Sequence, residues 1–213
     1  MIVVVGGIKG GTGKTTIATN LCQMRASAGK KVLLVDGDDQ QSSYEWSLHR
    51  DHRFSGKANT TTFVTVCLTG RALYTNVIKM KNDYDDIIID VGGRDSGSQR
   101  AAICCADILL FPFKPRSIDI WTLNPVKRLV EESLSQTAKA YSFLNQADHQ
   151  GIDNKDALEV LKECEIIKTL PVIIKNRKSF ANACSEGLGV NELVPTDEKA
   201  CKELHELYCY IYG

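Results

Sequence analysis

The sequence predicts an α/β protein, a doubly wound and mainly parallel sheet with helices packed on both faces. Three observations carry this prediction. Short apolar runs alternate with longer amphipathic stretches along the chain. The runs are continuously hydrophobic, as strands buried on both faces of a parallel sheet require. The glycine-rich and acidic motifs follow directly after apolar runs, at the strand ends where such sheets bind ligands.

Element by element, Ile2–Val5, Val32–Val35, Ile87–Ile89, Ile108–Phe111 and Val172–Ile174 read as buried strands. Thr61–Val66 and Ala140–Leu144 carry weaker forms of the same pattern. Helical stretches are expected near 15–28, 42–50, 70–80, 96–105, 117–136, 153–163, 178–186 and 196–211. Segments 51–60 and 146–154 read as loops. No repeat, low-complexity tract or linker interrupts the alternation, so residues 1–213 read as one domain.

Composition narrows the function classes. Lys plus Arg number 26 and Asp plus Glu number 26, so bulk positive charge cannot hold nucleic acid or membrane. The mean hides an uneven distribution, because residues 1–35 carry no acidic side chain and Asp36, Asp38 and Asp39 follow at once. No apolar run approaches the ~20 residues needed to span a bilayer, and the opening MIVVV lacks the features of a secretory signal. The 8 cysteines are scattered without a Cys-x-x-Cys pair, which suits small core residues in a reducing cytoplasm. His49 and His52 stand at i, i+3, but no third metal ligand lies near them in sequence.

The first apolar run leads into Gly6-Gly7-Ile8-Lys9-Gly10-Gly11-Thr12-Gly13-Lys14-Thr15-Thr16. This departs from the phosphate-loop pattern G-x-x-x-x-G-K-[ST] only at Ile8. The chemistry survives that departure. Gly10, Gly11 and Gly13 let backbone N–H groups converge on phosphate oxygens, and the following helix N-terminus favours an anion. Lys14 would neutralise β and γ oxygens, and Thr15 would supply a hydroxyl to Mg²⁺. Val32–Val35 ends in Asp36-Gly37-Asp38, and Asp86–Ile89 ends in Asp90, a carboxylate placed to hold Mg²⁺ through water. Taken alone, the first acidic group also suits a helix N-cap cluster.

Lys9-Gly-Gly-Thr-Gly-Lys-Thr-Thr16 resembles the deviant Walker A loop of the ParA/MinD family of P-loop ATPases. The resemblance spans nearly the whole chain. It implies the P-loop NTPase fold, with ATP and Mg²⁺ as cofactors and an ATP-dependent homodimer. Lys9 would reach across that dimer to the partner's nucleotide. Asp38 would orient the attacking water, and Asp36 would support the magnesium–lysine network. Thr12, Thr16 and Asn145 would join the nucleotide-binding set, Asn145 toward the adenine. Asp39 stands where the family usually has proline. Val91-Gly92-Gly93 fits the family's loop after the Walker B strand, and its glycines could serve as a γ-phosphate-sensing switch. Residues 106–119 resemble its stretch at the dimer interface.

The chain opens directly on its first strand, whereas long plasmid ParA proteins place a helix-turn-helix before it. The resemblance therefore implies a short ParA-type partition ATPase working with a small centromere-binding, ParB-like protein. Non-specific DNA binding in the ATP state, hence a nucleoid-associated cytoplasmic location, would fall to Lys175, Arg177 and Lys178. The alternative is a MinD-like ATPase acting on a membrane or protein cargo. The C-terminal helix carries both signs of charge, which argues against membrane. A third reading, phosphotransfer to Tyr208, Tyr210 and Tyr212, fits the phosphate loop less well.

Overall fold

A computed structural model describes residues 1–57, 62–133, 138–149 and 151–213. Seven strands, β1 Ile2–Val5, β2 Val32–Asp36, β3 Val64–Cys67, β4 Asp86–Asp90, β5 Ile108–Phe113, β6 Lys139–Ala147 and β7 Lys168–Lys175, form one sheet. Its order is β3-β2-β4-β1-β5-β6-β7, and every pairing is parallel. This is the P-loop NTPase architecture that the sequence implied. The order reverses around β1, which places the phosphate loop at the switch point where a crevice opens.

The continuous hydrophobicity has a direct cause. Ile2 and Val4 of β1 face one core layer, and Val3 and Val5 face the other. All four are essentially inaccessible to water, and each such burial contributes about 1.5–3 kcal/mol. Helices α3 (Gly70–Met80), α4 (Gly97–Cys105), α6 (Leu123–Ser133) and α7 (Ile152–Lys162) supply apolar residues to the first layer. Helices α1 (Lys14–Ser27), α2 (Ser42–Phe54), α8 (Lys178–Ser185) and α9 (Glu198–Tyr212) supply the second. Leu204, Leu207 and Ile211 of α9 are buried there. No helix among the described residues is long and apolar enough to cross a membrane.

Several expectations shift. The single helix expected over 117–136 is two, α5 (Ser117–Ile120) and α6, broken at Trp121 and Thr122; residues 134–136 lie outside the described residues. β3 begins at Val64, not Thr61, and Thr61 also lies outside them, as do 58–60 of the first expected loop. As an edge strand β3 pairs only with β2, and Val64 is 48% exposed, so its apolar signal is weak. β6 runs on through Gln146 and Ala147, and α7 opens at Ile152, so the expected loop 146–154 is mostly regular structure; Gln150 is not described. β7 begins four residues earlier than Val172 and tolerates Pro171 because it too is an edge.

One ion pair ties α1 and α9 to the start of β4. Asp86 accepts from Arg25 Nε at 2.7 Å, and the Arg25 guanidinium lies 4.1 Å from the Tyr212 ring centroid. Arg25 also donates to Tyr208 Oη at 2.9 Å. Two of the three terminal tyrosines therefore pack on α1, and Tyr210 alone is exposed.

Candidate phosphate-binding site

The loop between β1 and α1 requires glycine at position 13. Gly13 has φ +87°, a left-handed conformation that costs other residues about 1–2 kcal/mol. A Cβ there would also lie 2.3 Å from Asn145 Nδ2. Asn145 donates to Thr12 O at 2.7 Å, and Gln146 donates to Gly11 O at 3.1 Å. The end of β6 thus braces the loop from beneath. Lys14 opens α1 with Nζ 2.9 Å from Lys9 O, and it is only 7% exposed. Burial pushes its ammonium below the ordinary lysine value, while Asp90 and Asp38 oppose that shift. The loop lines a cavity of about 550 Å³ together with Thr15, Asp38, Gly93, Arg94 and Cys184.

Parallel register places the two acidic strand ends side by side, with Asp36 opposite Asp90. Their surroundings differ. Asp36 is fully buried, accepting from Ser43 Oγ at 2.7 Å, Tyr44 N at 2.9 Å and Asp38 N at 3.0 Å. It folds the Asp38 loop onto the start of α2, with both carboxylate oxygens hydrogen-bonded. Asp90 is 2% exposed, and its Oδ1 has no hydrogen-bond partner among the described residues. Burial raises its carboxyl to about 7, the Asp36 charge adds to the rise, and Thr15 and Lys14 work against it. A buried, unpartnered carboxylate oxygen beside a threonine hydroxyl fits a divalent cation. Among the described residues no three His, Cys, Asp or Glu side chains converge on a metal cage. Mg²⁺ suits such a sparse set, since it keeps waters and phosphate oxygens as ligands.

Asp38 reaches the cavity from the β2 side, and its carboxylate oxygens lie about 3.0 Å from where a Cβ on Gly92 would be. On the other side of the loop, Lys9 Nζ is held by Asp119 Oδ2 of α5 at 3.0 Å. A second cavity of about 260 Å³ adjoins the loop, lined by Gly13, Asn145, Lys175, Arg177 and Phe180. A third, of about 400 Å³, lies away from the loop between α5 and α7 beside the exposed Trp121.

Residues 3–190 match the family described as the CobQ/CobB/MinD/ParA nucleotide binding domain. The chain belongs to this family. It is 25% identical over 211 residues to the maintenance of carboxysome distribution protein A of Halothiobacillus neapolitanus, covering 95% of this chain and 92% of that protein. Its fold is similar to an ATP complex of Cyanothece McdA, with a TM-score of 0.78 and 17% identity over 96% of this chain and 93% of that one. It is likewise similar to the septum site-determining protein MinD of Pyrococcus horikoshii OT3 in complex with Mg-ADP. There the TM-score is 0.75 and the identity 20%, over 100% of this chain and 96% of that one.

Within this ParA/MinD-family chain, Lys14, Thr15, Thr16, Asp38 and the glycines share the larger cavity. Thr12 is buried in the loop, and Asn145 spends its amide nitrogen on bracing it. Lys175, Arg177 and Lys178, the residues expected to bind DNA, sit at the end of β7 and the start of α8. Lys175 and Arg177 line the smaller cavity, and Glu203 of α9 pairs with Arg177 at 2.6 Å. Of the three, only Lys178 is exposed. Sequence reasoning gave no site role to Gln146, Asp119, Arg94 or Cys184. Asp119 closes the stretch already likened to the family's dimer interface, but the other three carry no periodicity or spacing that marks them.

Proposed function

We propose that this chain is a Mg²⁺-dependent ATPase that dimerises on ATP and positions a cargo. The observation that carries this reading is the orphaned, buried Asp90 oxygen beside Thr15 and Lys14, two residues that line the larger cavity. Bound Mg²⁺ would supply charge neutralisation between β and γ oxygens. Thr15 and Asp90 are the residues that would hold it. Lys14 and the backbone N–H groups of Gly10–Thr16 bind the phosphates, and Asp38 orients and polarises the attacking water. Lys9 serves the nucleotide of a second copy of the chain. The smaller cavity beside Asn145 is the position for the base.

The cargo class follows from the relatives. The curated relative that spans nearly the whole chain acts in carboxysome distribution. A cargo-positioning role is therefore the function we assign, with a small ParB-like adaptor as partner and non-specific DNA as the surface on which the ATP dimer rests. Phosphate release from Mg-ATP tests the ATPase reading, with Lys14→Ala as the inactive control. Wild-type protein that releases no phosphate under any condition, adaptor and DNA included, would end it. A gel shift on random-sequence DNA tests the DNA role separately. ATP-dependent binding that weakens steeply with salt supports it, and equal mobility with and without ATP removes DNA while leaving the ATPase intact.

A further inference from the structure

Arg94 is the one cation lining the larger cavity that has no role so far. It stands in the loop between β4 and α4, and it shares that cavity with Lys14, Thr15 and Asp38. Two close backbone approaches set the loop's position. A Cβ on Gly93 would meet Gly10 N at 2.5 Å, and a Cβ on Gly92 would meet the Asp38 carboxylate at 3.0 Å. The residue just before Arg94 is therefore pressed onto the phosphate loop. The Arg94 guanidinium pairs with Asp39 of the neighbouring β2 loop, and the two side chains are 65% and 67% exposed.

We infer that Arg94 contacts the terminal phosphate of ATP and that Asp39 competes with that phosphate for the same guanidinium. The inference rests on the ATPase reading above. An ion pair between exposed side chains holds its partners weakly, because water screens it and both chains lose rotamer freedom. A terminal phosphate offers more negative charge and a set of oxygens that match the planar guanidinium fork. Of the other cations here, Lys9 is held by the buried Asp119, and Lys14 serves the phosphates from the start of α1. Arg94 can change partners by side-chain rotation, since its loop is already seated on the phosphate loop. ADP lacks the phosphate in question, so the contact discriminates between the two nucleotides. Asp39, by holding the guanidinium, sets how much ATP is needed to capture it.

Fluorescent ATP and ADP analogues, titrated against full-length protein with Mg²⁺, test this by affinity and not by turnover. Arg94→Ala is expected to weaken ATP binding about tenfold and ADP binding less than about twofold. Arg94→Lys, which keeps the charge but not the fork, is expected to fall between wild type and Arg94→Ala. Asp39→Asn is expected to tighten ATP binding a few-fold, and to have no effect in the Arg94→Ala background. Equal weakening of both nucleotides by Arg94→Ala, or no weakening of either, overturns the inference. So does an Asp39→Asn effect that persists without Arg94. A wild-type protein that binds neither analogue overturns the ATPase reading itself, a result distinct from these.

Discussion

Lys9 Nζ lies 3.0 Å from Asp119 Oδ2, joining the phosphate loop to a one-turn helix 110 residues further along the chain. Asp119 is buried, and its other oxygen has no partner among the described residues. Lys9 thus rests on its own subunit, while its proposed work is on another. Asp119→Asn is expected to release it, so that the ATP-dependent dimer forms at several-fold lower protein concentration in sedimentation experiments. The neutral amide keeps the shape, and we expect a stability loss of about 1 kcal/mol, since the lysine end is partly solvated. An unchanged monomer–dimer curve would show that the pair does not restrain Lys9.

Asp38 stands over the cavity from the β2 loop, with Gly92 against its carboxylate. Removing a positioned base costs on the order of 10²-fold or more in the chemical step. Asp38→Ala is expected to bind ATP normally, to release phosphate at least that much more slowly, and to accumulate as dimer. Single-turnover kinetics separate these outcomes. Normal phosphate release would remove Asp38 from the reaction.

Asp90 makes stability depend on pH and on Mg²⁺. Its carboxyl releases a proton near pH 7 in the fold, against an ordinary value of 3.8. The fold favours the protonated form, so this contribution is complete below about pH 4 and is lost as pH rises through about 7. Asp90→Asn is expected to melt above the wild type at pH 8 without Mg²⁺, with the difference shrinking toward pH 5. The variant should also lose the stabilisation that Mg-ATP gives the wild type. Parallel pH profiles for the two proteins would contradict the assignment.

Gly13 carries two independent constraints, a left-handed backbone and the amide of Asn145 at the place of its missing side chain. Gly13→Ala is expected to lose nucleotide binding and about 1–2 kcal/mol of stability from backbone strain alone. Asn145→Ala relieves the contact but removes the brace on Thr12 O. It should weaken nucleotide binding without restoring Gly13→Ala. Calorimetric titration of the two single variants and the double variant checks both statements.

Much of this was legible in the chain itself. Four of the five strong apolar runs became strands buried on both faces, because a strand covered on each side needs no polar alternation; the fifth, Val172–Ile174, lies in edge strand β7, where burial alternates. Lys14, Thr15, Asp38 and Asp90 were readable because each sits at the end of its own strand or at the start of the next helix. Edge strand β3 was legible only as a weak run with other bounds, and the break between α5 and α6 was not legible, since partial exposure and a two-residue interruption leave weak local signals.

The sequence by itself determined the elements and the phosphate loop, because local periodicity and glycine spacing act within a few residues. The tertiary structure alone decided which charges meet. Strand order set Asp36 beside Asp90; the Asp38 loop and the α2 start engage both oxygens of the first, while Oδ1 of the second has no partner among the described residues. The return of α9 past β7 brought Glu203 to Arg177, which also lines the smaller cavity. Loop packing at the switch point set Arg94 against Asp39 and Lys9 against Asp119. A side chain's charge is written in the sequence, but its partner depends on which distant strands lie together. That arrangement follows from burying both faces of one sheet at once.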